Sequence, residues 1–311
     1  MGDDLQEFVK ICAQRNGRPC AFACRGAAMR AIESVNRDDP SVEARSDAMT
    51  LRSPEWRIAQ AVFASIAEDR LFFQHEVIAA IDAPADILYR EALARMTVDN
   101  EVMLPGRFIP ALEQLGLMRP FDCYVLRRTL DEIRRMPAAY LGCNVSAQSV
   151  RDDYWWTSLF RELAAEPRVA ARLVVEITES VPVSPVEGRA FVQRLRGLGV
   201  RIAIDDFGAG FSADAARMCE PDILKIDRSF LRRVRQGTLC TAEFNRLVRM
   251  AQGTAPLVVV EGVETPGDLR VARDAGVQWV QGYYLNAPQR VGSDPPIREF
   301  GFLSAPGTPS E

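Results

Sequence analysis

The chain has 311 residues, of which 48% are hydrophobic, and its formal net charge is −4. This apolar content excludes global disorder, and the negative charge argues against a protein that binds DNA or RNA duplexes, which would carry a basic face. With one histidine and seven cysteines that form no CxxC pair, the sequence argues against a structural zinc site and predicts reduced, mostly buried thiols.

Residues 1–54 differ in character from the rest of the chain. Apolar residues recur at helical spacing near Leu5 and near Ala28, and a polar, charged stretch from Asn36 to Pro54 is typical of a linker. We predict a short N-terminal helical segment and assign it no function. The opening MGDDLQ is not a secretory signal, and no apolar run approaches the roughly 18 residues of a membrane span. We therefore expect a cytoplasmic protein without membrane insertion.

From residue 55 to residue 290 the sequence predicts one α/β domain. A helix beginning near Pro54 is followed by short apolar runs that alternate with longer amphipathic segments. This alternation is typical of a TIM-like (β/α)8 barrel, and the close spacing of the first two runs predicts a hairpin with one antiparallel strand. Residues 291–311 are rich in Pro, Gly and Ser and predict a flexible tail. The expected strands are 71–78, 86–93, 139–145, 171–177, 200–205, 222–226, 257–260 and 277–280.

Polar side chains stand at or directly after the ends of seven of these runs. The carboxyl ends of parallel barrel strands meet on one face, which carries the active site. A single carboxylate in such a place is often only the N-cap of the next helix, but seven strands in succession favour a shared site. The residues are Glu91, Asn144, Glu176, the pair Asp205–Asp206, Lys225, Glu261 and Gln281.

So many carboxylates in one mouth repel each other unless cations lie between them. Carboxylate and amide oxygens without histidine or cysteine select Mg²⁺ or Mn²⁺. The adjacent pair Asp205–Asp206 suits two such ions, a recurrent arrangement for phosphodiester hydrolysis. We therefore predict two divalent cations.

An ordered set of motifs over about residues 56–290 resembles the EAL-domain cyclic di-GMP phosphodiesterases. Each motif alone is weak, whereas the full set in this order is specific. The motifs are EALAR (91–95), NVSAQ (144–148), EITES (176–180), DDFGAGFS (205–212), DILKIDRSF (222–230), EGVET (261–265) and QGYYLNAP (281–288).

The resemblance implies a role for each matching residue. It assigns metal binding to Glu91, Asn144, Glu176, Asp205, Asp206 and Glu261. It assigns catalysis to Glu91, Lys225, Glu261 and Gln281, and substrate binding to Gln74, Arg95, Asn144 and Asp206. It makes Glu179 the anchor of the loop after Asp206.

The implied reaction is hydrolysis of cyclic di-GMP to linear pGpG by two-metal-assisted in-line attack of water. Either Glu261 or Lys225 assists proton transfer, although surrounding carboxylates should keep Lys225 charged. The family commonly dimerises, so we expect a homodimer. The loop after Asp206 departs from the family's pattern at Phe211 and Ala213. A catalytically weak or inactive EAL domain that binds cyclic di-GMP or a protein is therefore the alternative.

Two local features are open to two interpretations each. His75, beside Gln74, is either an incidental surface histidine or a pH sensor. The aromatic group Tyr154, Trp155 and Trp156 either packs the following helix against the barrel or stacks on a base.

Overall fold

The computed structural model describes residues 53–98, 101–152, 154–178, 185–209 and 220–285. The predicted N-terminal segment before residue 53 and the tail after residue 285 lie outside the described residues, as do residues 210–219. Nine strands are described: β1 Leu71–Ala80, β2 Ile87–Val98, β3 Glu101–Met103, β4 Leu141–Ser146, β5 Leu173–Thr178, β6 Arg201–Phe207, β7 Ile223–Ile226, β8 Leu257–Val260 and β9 Trp279–Gln281.

Helices connect the strands along the outside of the sheet. The first of them starts at Pro54, where the Ser53 hydroxyl accepts the Trp56 N–H at 3.2 Å and caps the first turn. The described helices are α1 Pro54–Ala67, α2 Pro105–Gln114, α3 Met118–Arg135, α4 Tyr154–Ala165, α5 Pro167–Ala170, α6 Pro185–Gly197, α7 Arg228–Arg235, α8 Thr241–Gln252 and α9 Pro266–Asp274. No helix in this part of the chain is long and apolar enough to cross a membrane.

Eight of the strands close into a barrel. Strands β2 and β4 through β9 pair in parallel in that order, and β1 closes the ring by pairing antiparallel with both β2 and β9. The predicted barrel with one antiparallel strand is confirmed. The sequence did not predict β3, which pairs antiparallel with the end of β2, away from the two residues that pair with β4. Three residues carry too little periodicity to be recognised as a strand.

The barrel interior is built in two layers because side chains of a strand alternate with a period of two. The lower layer is apolar and fully buried. We call it the floor, and its members are Ile78, Tyr89, Val174, Ala203, Ile223 and Val259. On each of these strands, a polar residue stands two positions along the chain from the floor residue and faces the same side. Outside the barrel a larger apolar core fills the space between the strands and the helices.

Of the seven cysteines, three lie in described segments. Cys123 and Cys143 are buried free thiols, and Cys240 is an exposed free thiol. The other four fall outside the described residues.

Candidate active site

Above the floor, each of the eight barrel strands contributes one polar side chain to a ring. The ring members contact one another through hydrogen bonds and ion pairs, and six of them line a cavity. We call this set the polar ring: Glu76, Glu91, Asn144, Glu176, Asp205, Lys225, Glu261 and Gln281. Seven of the eight belong to the set expected from strand ends, and Glu76 is new.

Lys225 lies among four carboxylates of the polar ring. Its Nζ is 2.6 Å from an oxygen of Glu176, 2.6 Å from Glu261, 3.2 Å from Glu91 and 3.2 Å from Asp205. Burial by itself would lower the pKa of Lys225, but the four carboxylates outweigh burial and hold that pKa well above its ordinary value. The ammonium therefore stays charged, as the sequence indicated, and is a poor general base.

Glu91 is held by three donors. The Asn144 amide donates to its Oε1 at 2.6 Å, and the Gln281 amide donates to its Oε2 at 2.7 Å. Burial favours the neutral form, but Lys225 together with these two amides lowers the pKa of Glu91 below its ordinary value. Glu91 is thus a fixed, ionised carboxylate.

Glu176 and Glu261 differ from Glu91 in their charge balance. Burial raises the pKa of Glu176 well above its ordinary value, and the nearby charge of Glu91 raises it further. Burial likewise raises the pKa of Glu261 well above its ordinary value against the opposing effect of Lys225, and the charges of Asp205 and Glu91 add to the rise. One ammonium does not balance the ring's carboxylates, so further positive charge would stabilise the site.

A break in strand β6 directs two consecutive carboxylates to the mouth of the barrel. The pairing of β6 with β7 shifts register between Ile204 and Phe207, and Asp206 has a left-handed backbone with φ 55°. Burial, Asp205 and Asp227 raise the pKa of Asp206 to about 7. This irregularity explains how neighbours in a strand, whose side chains normally point to opposite faces, both reach the site.

The oxygen atoms of the site fit hard divalent cations. Ligand oxygens of Glu91, Glu176 and Asp205 lie within 4.8 Å of one another, and so do those of Asp205, Asp206 and Glu261. Two buried acceptors, Asn144 Oδ1 and Glu176 Oε1, have no hydrogen-bond partner in the described part of the chain. Buried acceptors without partners are costly, and a cation satisfies them. A donor set made only of oxygen atoms is the kind that hard cations prefer.

A cavity of about 870 Å³ opens above the ring. Its walls combine apolar side chains such as Leu104 and Ile109 with the ionisable side chains of Arg95 and Asp122. Tyr283, which follows β9, is 73% exposed at its edge. A volume of this size is in the range of ligand pockets that enclose most of a small molecule.

Residues 57–288 match the EAL domain family. The chain belongs to this family. Cyclic di-GMP phosphodiesterase PdeF of Escherichia coli K12 is 32% identical over 223 residues, which cover 68% of this chain and 30% of that relative. Cyclic di-GMP phosphodiesterase NbdA of Pseudomonas aeruginosa is 28% identical over 290 residues, which cover 90% of this chain and 37% of NbdA. This EAL domain spans about a third of the length of such curated relatives.

The fold of this EAL domain also resembles solved structures. The S helix-GGDEF-EAL part of Vibrio cholerae LapD, bound to c-di-GMP, superimposes with a TM-score of 0.66 at 22% identity. The match covers 74% of this chain and 57% of that one. At this identity the likeness shows the fold, which is the barrel described above.

The residues expected to contact substrate lie at different depths in this EAL domain. Arg95 is 9% exposed, lines the cavity and donates from Nε to the Gln74 Oε1 at 3.0 Å. Gln74 is exposed on the same face of the hairpin. Glu179, the expected loop anchor, lies outside the described residues. Gln74 therefore reaches the site through its contact with Arg95.

The sequence analysis assigned no role to five acidic residues of the cavity wall, and three of them, Asp227, Asp122 and Glu76, bear on the site. Asp227 follows β7, caps α7 by accepting the Ser229 N–H at 3.0 Å, and contributes to the pKa of Asp206. Its place after a strand was a usable signal. Asp122 is buried on α3 and accepts the Ser146 N–H at 3.0 Å. Glu76 lies on β1, which runs antiparallel to its neighbours in the barrel. Its residue nearest the mouth therefore does not stand at the carboxyl end of the strand.

The described side chains of the aromatic group on α4 pack against neighbouring residues and do not line the cavity. Trp156 is fully buried, its indole N–H donates to the Ser149 carbonyl at 2.9 Å, and its ring lies 5.1 Å from that of Phe191. His75 points away from the cavity, and its Nε2 lies 2.9 Å from Glu132 on α3. The side chain of Tyr154 lies outside the description.

Proposed function

We propose that this EAL domain is a phosphodiesterase that hydrolyses cyclic di-GMP to linear pGpG with the help of two divalent cations. The observation that carries the proposal is the polar ring, in which two adjacent groups of carboxylates surround one ammonium below a cavity. The names of PdeF and NbdA, both cyclic di-GMP phosphodiesterases, support the substrate class.

The chain offers ligands for each of the two cations. Glu91, Asn144, Glu176 and Asp205 would hold the first, and Asp205, Asp206 and Glu261 the second, with Asp205 shared. When bound, such ions supply Lewis-acid stabilisation of phosphoryl charge and a lowered pKa for water. Mg²⁺ and Mn²⁺ are the candidates because the ligands are oxygen atoms.

The reaction needs a water oxygen to attack one phosphodiester phosphorus in line with the bond that breaks. A new P–O bond forms to water, the bond to the 3′ oxygen of one ribose breaks, and the proton lost by water is balanced by a proton gained at that oxygen. The product is linear, with one 5′ phosphate and one free 3′ hydroxyl. Arg95, which lines the cavity, is placed to bind a phosphate through its guanidinium.

The polar ring suggests how the proton is handled. Lys225 stays protonated because four carboxylates surround it, so it orients groups and stabilises negative charge rather than removing a proton. Glu261 contacts Lys225 at 2.6 Å, lines the cavity, and its pKa is raised by burial. A carboxyl with a raised pKa is the better proton acceptor of the two at neutral pH.

The experiment incubates purified protein with cyclic di-GMP and Mn²⁺ or Mg²⁺ and follows pGpG by chromatography. We expect pGpG to accumulate, EDTA to stop it, and Glu91→Gln to abolish it, since Glu91 is contacted by three ring members. Glu187→Gln is the matched control, because Glu187 pairs with Arg151 on the exposed surface. Turnover by Glu91→Gln at the wild-type rate would contradict the assignment.

The same experiment separates catalysis from binding alone. Equilibrium dialysis of labelled cyclic di-GMP that shows binding, with no pGpG formed in either metal, would favour the alternative of a binding EAL domain. Separate measurements test the predicted homodimer and the predicted domain boundaries at residues 54 and 290. Light scattering on the full chain tests the dimer, and limited proteolysis tests the division.

A further inference from the structure

Glu76 is the one member of the polar ring to which no motif of the sequence assigns a role. It lies on β1, lines the cavity, and its Oε2 accepts a hydrogen bond from the Gln281 side-chain amide at 3.2 Å. Within the described residues no ion pair involves Glu76. Its hydrogen bond with Gln281 therefore connects Glu76 to the rest of the ring.

The Gln281 amide nitrogen has two hydrogens, and both are used. One donates to Glu91 Oε2 at 2.7 Å and the other to Glu76 Oε2 at 3.2 Å. An amide oxygen facing two carboxylates would be repelled, so the contacts fix which end of the amide is which. Gln281 Oε1 is left as a buried acceptor without a hydrogen-bond partner among the described residues. Such an acceptor is suited to a donor that enters with the reactants.

Glu76 is placed where it costs stability. It stands directly opposite Glu91 in the antiparallel pairing of β1 with β2. Like charges in directly opposite positions of such a pair are destabilising. Lys225 contacts the other four carboxylates of the ring, whereas the Gln281 amide donates a hydrogen bond to both Glu76 and Glu91. A residue that violates a folding preference inside a functional site is expected to contribute to function.

From these contacts we infer that Glu76 is a positioning residue that acts through Gln281. It accepts the second amide hydrogen and so holds Gln281 Oε1 free to accept a hydrogen bond from a water molecule in the site. The inference rests on the proposed hydrolysis for its effect on rate, but the contact itself does not. Without Glu76 the second N–H of Gln281 has no acceptor, and the amide is free to rotate away from Glu91.

The first test compares two variants of Glu76 in the full chain. Glu76→Leu removes the acceptor, and we expect kcat to fall roughly tenfold, as for other outer partners of metal sites, with KM nearly unchanged. Glu76→Gln keeps an acceptor oxygen at the same reach and should restore most of the turnover. The melting temperature of Glu76→Leu should equal or exceed that of the wild type, since the opposed charge is gone. Wild-type turnover by Glu76→Leu would overturn the inference.

A double-mutant cycle tests whether the effect passes through Gln281. In the Gln281→Ala background, Glu76→Leu should lower kcat no further. An equal loss in both backgrounds would show that Glu76 acts by another route and would overturn the inference.

The side-chain NH2 resonances of Gln281 give a readout that needs no turnover. In glutamine-labelled protein, assigned with Gln281→Ala, one of the two proton signals should move in Glu76→Leu and stay near its wild-type position in Glu76→Gln. Unchanged signals in Glu76→Leu overturn the inference. If the wild type forms no pGpG, the proposed hydrolysis fails on that result, while these resonances still decide the Glu76–Gln281 contact.

Discussion

The absence of a side chain at Gly142 makes room for a carboxylate of the site. A Cβ at this position would overlap both Glu176 Oε1 and the Tyr89 ring, which are buried. We expect Gly142→Ala to lower the free energy of unfolding by about 1–3 kcal/mol, as overpacking does. Displacement of Glu176 should also weaken Mn²⁺ binding, measured by titration calorimetry.

The matched control for that substitution is Gly197→Ala. Gly197 is the last residue of α6, and a Cβ there would meet nothing within 4 Å. It should leave both stability to denaturant and Mn²⁺ affinity close to wild type. A Gly142→Ala protein as stable and as metal-avid as this control would show that the space beside Glu176 is not needed.

Asp122 should make the stability of the protein depend on pH. Burial raises the pKa of Asp122 to about 7, against an ordinary value of 3.8. A folded-state pKa above the unfolded one means that the folded state binds the proton more tightly, so stability is lost as pH rises from about 4 to 7. Three pKa units correspond to at most about 4 kcal/mol.

The test of this dependence is Asp122→Asn, which keeps an acceptor for the Ser146 N–H without the charge. Urea unfolding at pH 5 and at pH 8 should show the variant gaining stability relative to wild type at the higher pH. An equal difference at both values would mean that the Asp122 carboxyl keeps its ordinary pKa in the fold.

At the residue scale, sequence predicted seven of the eight ring positions because each parallel strand places its polar residue near its carboxyl end. Glu76 escaped this rule because β1 runs in the opposite direction, so its inward carboxylate comes before the apolar residue of the floor, Ile78. Asp122 escaped because a lone acid on an otherwise apolar helix face has no periodicity to mark it. Its role follows only from the contact with Ser146.

At the element scale, the packing of α4 depends on Trp156. The ring is enclosed by Phe160 and Phe191, and its N–H is bonded to a backbone carbonyl. We expect Trp156→Phe to cost about 1–3 kcal/mol of stability through the lost hydrogen bond and the smaller ring, with KM for cyclic di-GMP unchanged. Trp155→Phe, at a half-buried position, should cost less in the same thermal melts. A rise in KM for Trp156→Phe would revive the base-stacking interpretation.

The elements themselves were largely predictable because buried parallel strands read as continuous apolar runs. The helix at Pro54 was predicted from its apolar spacing, and Ala59, Val62, Phe63 and Ile66 are buried as expected. The pattern did not predict the full length of β2, because this strand extends to Val98, beyond the predicted run. That extension pairs with β3 and β1, and long-range pairing of this kind leaves no local signature in one sequence.

At the scale of the whole molecule, metal loading should release protons. Burial raises the pKa values of Glu176 and Glu261, and the pKa of Asp206 is about 7, so a bound cation, which favours the ionised carboxylate, should displace the proton that Asp206 holds below that pH. Since Asp206 is mostly protonated at pH 6 and mostly ionised at pH 8, Mn²⁺ should release more protons at pH 6. Calorimetry in buffers of different ionisation enthalpy counts them.

The control for the number of protons released is Asp206→Asn, which should bind the second ion weakly. In this variant the number of protons released should no longer differ between pH 6 and pH 8. If wild type and Asp206→Asn release the same number of protons at both values, Asp206 does not carry the pH dependence.

Within the described residues, the fully buried floor closes the barrel interior below the ring, and the cavity lies above the ring. Under the proposed function, cations and dinucleotide would both enter through this cavity, and a bound dinucleotide would lie between the ring and bulk water. The proposed hydrolysis therefore predicts that the cations bind before the dinucleotide, so mixing the protein with cyclic di-GMP before adding Mn²⁺ should delay the onset of turnover.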